Sequence, residues 1–200
     1  MTEKPFSPAS QRNRAPILEV LRGFFSDRTH VLEIGGGTGQ HAVHFAAMLS
    51  HLTWQSSDRA EHLPGLRLWL DEARLANTPA PLQLDVARDD WPRGMFDAIF
   101  SANTLHIMSW PDVEALFAAL PAVTTPDAKL AIYGPFNVDG RFTSDSNAAF
   151  DASLKARVPH MGIRDGADVD VLALTAGFHL VDDLPMPANN RLRMWQRRSR

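Results

Sequence analysis

The stretch HVLEIGGGTGQHAVHFAA, residues 30–47, runs an apolar segment of strand length into three consecutive glycines, with a fourth at Gly39 where a helical pattern begins. Glycine costs chain entropy, so three in a row between a buried strand and an amphipathic helix need a reason. The arrangement is that of a ligand lying over the carboxyl end of a parallel strand, with backbone amides approaching it at a helix N-terminus.

The remaining pattern supports a sheet of that kind. Short apolar runs LTWQSS, PLQLDV, FDAIFSA and KLAIYG alternate with amphipathic stretches around 41–50, 62–76 and 111–122, after an opening helix over about 11–25. Strands separated by helices mean right-handed crossovers, hence an α/β, Rossmann-like, doubly wound and mainly parallel sheet with helices on both faces. FHLVDDLPM and NRLRMWQRR read as two closing strands, the second a solvated terminal strand with a frayed end. With 200 residues and 44% apolar composition, one domain over 1–200 is expected. Its N-terminal helical segment covers about 8–26, and a long connection over about 134–161 has the length of a lid or substrate loop.

Two ligands drop out on residue type. A phosphate-cradling loop needs Lys then Ser or Thr after its last glycine, whereas Gly39 is followed by Gln40 and His41. The dinucleotide fingerprint fails in both registers, for want of a small residue at Gln40 in one and of glycine at Thr38 in the other. What remains is acidic-x-G-x-G-x-G, read as Glu33, Gly35, Gly37 and Gly39. In that form the stretch resembles the first motif of the class I S-adenosylmethionine-dependent methyltransferases. An acidic group at the strand end repels a pyrophosphate and tolerates an ammonium, which favours the same donor, with Gly36 included in the turn.

Other positions follow from the strand ends. Asp58 closes the second strand, where a carboxylate can accept from a ribose diol. Asp85 closes the third, and the family resemblance implies contact with an adenine amino group. ANTLHI leaves the fourth strand above the sheet, which makes Asn103 and His106 the polar groups best placed to meet an acceptor. His106 is the expected general base because an unperturbed imidazole titrates near neutral pH. His41, just past the glycines, is the weaker candidate for that role and is grouped with the cofactor-binding residues. His41 and His44 stand at a metal-compatible spacing, but no acidic cluster completes a site, so no metal is expected.

PASQRNRAPILEVL, YGPF, GRFTSDSNAAFDASL, GIRD and PANN, taken in order with the motifs above, are similar to the methyltransferase-like 26 family over about Pro8 to Arg197. That resemblance implies seven strands, an antiparallel last strand and a methyl donor at the switch point. It also implies that Arg12 or Asn13 folds over the donor's carboxylate, and that Tyr133, Phe136, Arg141 and Asn147 line the acceptor pocket. The reading is an S-adenosylmethionine-dependent methyltransferase with a small-molecule acceptor. A nicotinamide-dependent oxidoreductase and a non-catalytic binder of the donor or its product are the alternatives. No cysteine, a formal charge of −3 and no long apolar run point to a cytoplasmic protein without a nucleic-acid or membrane partner.

Overall fold

The computed structural model describes residues 4–198. Seven strands form one sheet in the order β3-β2-β1-β4-β5-β9-β8, with β1 at His30–Ile34, β2 at Thr53–Asp58, β3 at Leu82–Gln83, β4 at Phe96–Ala102, β5 at Thr124–Gly134, β8 at Phe178–Met186 and β9 at Asn190–Arg197. The pairs among the first five strands in that order are parallel, and β9 runs antiparallel to both of its neighbours. The chain reverses between β1 and β4, so the crevice at the carboxyl ends of those strands is a topological switch point.

Side chains alternate between two apolar layers. Val31, Ala98, Phe100 and Ala131 point toward α1 (Pro8–Phe24), α2 (Gln40–Met48) and α3 (Leu63–Ala73), with Ile17, Leu21, Phe45 and Leu66 filling that layer. Leu32, Ile34, Ile99 and Leu130 point the other way, toward α4 (Trp110–Val123) and α6 (Gly166–Thr175), where Leu116, Phe117, Val169 and Trp195 complete the packing. Strand period two thus distributes one apolar run to both faces, as a doubly covered sheet requires.

Two sequence expectations change here. The third strand is only two residues long, because the amide of Asp85 donates to the Asp89 carboxylate at 2.7 Å and Asp85 accepts from Ala87, which bends the chain out of the ladder. The closing strand is not solvated. It lies inside the sheet with Leu192, Arg193, Met194 and Trp195 buried, and its basic residues are spent internally, Arg193 on Asp170 at 2.6 Å and on Asp183 at 2.5 Å. Ser199 and Arg200, where fraying was expected, lie outside the described residues.

The long connection after β5 carries two short paired strands, β6 (Phe136–Asn137) and β7 (Arg164–Asp165), and α5 (Asp145–Arg157). The first helix starts at Pro8, with Ser7 as its N-cap accepting from the Ser10 amide. Among the described residues, no helix is long and apolar enough to cross a membrane.

Candidate functional site

β1 delivers the chain to the glycine turn at the sheet's switch point. Gly35 and Gly36 both donate to Ser57 O at 3.0 Å, which ties the turn to β2. Gly37 has φ +57° with nothing within 4 Å of where a Cβ would stand, so its open face borders free space. Gly39 is different: at φ +92°, a Cβ would lie 2.8 Å from Leu66 Cδ1 and 3.2 Å from Leu66 O. One glycine keeps the crevice accessible; the other lets α3 pack against the turn.

Two clefts meet at this turn. The narrower, about 360 Å³, lies between the ends of β2, β3 and β4, with Asp58, Asp85, Val86, Thr104 and Met108 in its wall. The wider, about 690 Å³, is walled by Asn13, His41, His106, Tyr133, Asn147 and Phe150. Gly35, Gly37, Ala102 and Asn103 border both, so one elongated ligand can span them across the turn. Asn103 leaves β4 at φ +58°, a left-handed conformation that asparagine tolerates, and its amide donates to Tyr133 O at 2.8 Å.

Asp58 is buried at the tip of β2. Its Oδ2 accepts from the Gly37 amide at 2.6 Å and its Oδ1 accepts from the Arg59 amide at 2.7 Å, with His62 Nδ1 at 2.9 Å. The carboxylate therefore braces the glycine turn while lining the narrower cleft. Asp85 lines the same cleft from the turn after β3, where the expectation placed it at the strand end itself.

On the other side, Asn13 of α1 accepts from His41 Nε2 at 2.7 Å, and Asn13, Tyr133 and Asn190 share the wall of the wider cleft. Since the amide oxygen only accepts, His41 carries its proton on Nε2. Burial lowers the His41 pKa to about 4, with His44 and Arg14 adding smaller effects, so the ring is neutral at pH 7. His106 is neutral for the same reason: burial first, then Arg164 and Arg157, lower it to about 4. That corrects the expectation of an imidazole titrating near neutrality, because the isolated-residue value does not survive desolvation.

Three further expectations are corrected. Glu33 lines neither cleft: strand parity turns it into the α1–α3 layer, where Oε2 accepts from Trp54 Nε1 at 3.0 Å and Ser56 Oγ at 2.8 Å. Burial raises its pKa to about 7, so it is not the exposed charge at the strand end that the ammonium argument assumed. Phe136 points into the opposite core layer, under Arg193. Arg141 is exposed in a tight turn, bridged to Val138, and borders neither cleft. Gly36, Arg12, Tyr133 and Asn147 do border the wider cleft.

Several residues in or behind the cleft walls had no role assigned from sequence. Gln40 accepts from the Ser7 amide at 2.5 Å and Thr38 Oγ1 at 3.0 Å, joining the start of α1 to the glycine turn. Arg164, from GIRD, donates to Leu105 O at 3.1 Å, to His160 O at 3.0 Å and to Met108 O, holding the turn that carries His106. Pro187, Ala188 and Asn190 of PANN close the wider cleft, and Asn189 O accepts from Asn147. The quoted motifs were their only sequence signal.

Residues 4–197 match the family described as "Protein of unknown function (DUF938)". The chain belongs to that family. Solved structures show the fold that this DUF938 protein shares with others. An O-methyltransferase family protein from Burkholderia thailandensis superposes with TM-score 0.82 at 18% identity, over 96% of this chain and 57% of the other. Mitomycin 7-O-methyltransferase MmcR gives 0.82 at 20% identity, over 94% and 54%. PigF with SAH gives 0.77 at 14%, over 92% and 55%. The DUF938 chain thus spans little more than half the length of these proteins, and the likeness is one of fold.

Proposed function

We propose that this protein is a methyltransferase that uses S-adenosylmethionine and acts on a small-molecule acceptor. The observation that carries the reading is the junction of two clefts at Gly35, Gly37 and Asn103, an acidic strand tip on one side and polar, partly aromatic walls on the other. The residues fit the donor. Asp58 stands where a ribose diol would lie, Asp85 and Val86 border the space for an adenine, and Arg12, Asn13 and the turn at Gly37 border the space for an amino-acid end.

When bound, this cofactor supplies a methyl group already activated by a sulfonium. The protein's own work is to align the acceptor, exclude water and keep the crevice shaped. Asn103 and His106 are the residues we assign to contact with the acceptor, and Tyr133 and Asn147 are assigned to its walls. Kinship with the methyltransferase-like 26 family is part of the proposal and rests on the motifs quoted above. A single-domain, cytoplasmic enzyme fits the composition.

Calorimetric titration tests the reading. S-adenosylhomocysteine should bind with a micromolar dissociation constant and NAD should not bind. NAD binding alone would replace the proposal with an oxidoreductase, and product binding without turnover on any acceptor would make the protein a binding module.

A further inference from the structure

Arg12 carries the only ionised side chain that borders the wider cleft among the described residues; no Asp, Glu or Lys faces it. The narrower cleft, by contrast, carries both signs, with Asp58, Asp85 and Asp112 in its wall beside Arg59 and Arg88. The chain holds 23 acidic residues against 20 basic ones, so the missing carboxylates reflect placement rather than composition. Three helices also turn their first turns toward this space: Ala9 and Ser10 of α1, His41 of α2, and Ser146 and Asn147 of α5. A helix N-terminus carries roughly half a positive charge. Asp145, exposed in the first turn of α5 and outside the lining, offsets part of one of them.

A second observation comes from His106. It is only 5% exposed, borders the wider cleft and stands edge-on to Phe150, with ring centroids 5.3 Å apart. Its imidazole makes no hydrogen bond among the described residues, and its nitrogens are not among the fully enclosed unpaired atoms, so the polar edge of the ring opens onto the cleft. A nearly buried polar side chain left unpaired at a cleft wall is completed by what enters.

The lining also restricts the chemistry. Methylating a neutral hydroxyl or an ammonium releases a proton that some group must take. His41 spends Nε2 on Asn13, burial makes both imidazoles weak bases, and burial raises the Tyr133 pKa. None of these is matched to taking a proton from an alcohol at neutral pH. A carboxylic acid is ionised there already.

We propose, building on the methyltransferase reading, that the acceptor is a small organic carboxylate held between Ser146 at the start of α5 and the His106 ring, and methylated on a carboxylate oxygen. The oxygen lone pair forms the new O–C bond to the methyl carbon while the C–S bond breaks and its electron pair stays on sulfur. The products are a methyl ester and S-adenosylhomocysteine, and no proton is released. Arg12 and the start of α2 meet the donor's own carboxylate, which leaves α5 and His106 for the acceptor.

Calorimetry on protein saturated with S-adenosylhomocysteine tests this without turnover, using benzoate, phenol and benzylamine, then cinnamate with its phenol and amine counterparts. The acids should bind at least about tenfold tighter than their counterparts. Ser146→Asp sets a carboxylate in the cleft at a helix start, where it is well tolerated. It should weaken benzoate or cinnamate by about tenfold while leaving S-adenosylhomocysteine affinity within about twofold. Phenols or amines binding as well as the acids, no acid binding at all, or an indifferent Ser146→Asp would overturn the carboxylate assignment and leave the methyltransferase reading in place. Failure of S-adenosylhomocysteine to bind the unaltered protein would remove both.

Discussion

The Asp58 carboxylate and the Gly37 amide are joined by a 2.6 Å hydrogen bond across the mouth of the crevice, so the group expected to hold a ligand's sugar also sets the shape of the turn beneath it. Asp58→Ala removes the acceptor for that amide and for Arg59. The expected result is a stability loss of about 1–3 kcal/mol and a drop of at least about tenfold in S-adenosylhomocysteine affinity. Urea unfolding with parallel calorimetry measures both; an unchanged affinity would separate Asp58 from the ligand.

Two glycines should respond differently to the same substitution. Gly37→Ala meets open space but forces alanine to φ +57°, a cost of about 1–2 kcal/mol, and its methyl borders the crevice. Gly39→Ala adds a clash with Leu66 to the same kind of strain, so about 2–4 kcal/mol is expected. Gly37→Ala should therefore hurt ligand affinity more than folding, and Gly39→Ala the reverse. Thermal melts and titrations on the two variants decide the matter.

Asn13 links α1 to α2 through His41. Asn13→Ala leaves the buried His41 Nε2–H without its acceptor, which costs about 1–3 kcal/mol. Because α1 walls the wider cleft, hydrogen exchange in residues 8–16 should quicken in the variant. Unchanged exchange would show that other contacts hold the helix.

Stability should depend on pH with a definite sign. His41 and His106 titrate near 4 when folded against 6.5 in the open chain, so from 6.5 down to 4 the unfolded state holds more protons and stability falls as pH drops. Glu33 acts oppositely: its pKa of about 7, against 4.5 unfolded, gives the folded state the extra proton in that window, and this contribution is lost as pH rises through 7. His44, whose pKa burial also lowers, acts in the same sense, so the histidines outweigh the one glutamate between 4.5 and 6.5. The net is at least about one proton, or about 1.4 kcal/mol per pH unit, with a maximum near pH 7. Urea midpoints across pH 4.5 to 8 should trace this curve, and a flat profile from 5 to 6.5 would contradict it.

Period-two apolar runs, helical spacings between them and the glycine turn made the doubly wound sheet and its ligand-bearing edge legible before any coordinates, because each is a local property of consecutive residues. Asp58, Asn103 and His106 were legible for the same reason: they follow directly from where a strand ends. The antiparallel last strand came from family likeness rather than from local pattern.

The tertiary structure decided whatever depends on partners distant in the chain. Glu33 faces Trp54 and Ser56 because of its parity on β1 between two packed layers, and the glycine motif alone carries no information about which layer is which. Phe136 lies in the opposite core layer and Arg141 in an exposed turn, while Ser146, Phe150 and the hairpin at Pro187–Asn190 build the wall those two were expected to form. The imidazoles lose their neutral-pH titration only when helices close over them. Backbone patterning is written residue by residue, whereas desolvation and charge placement exist only once remote segments share one volume.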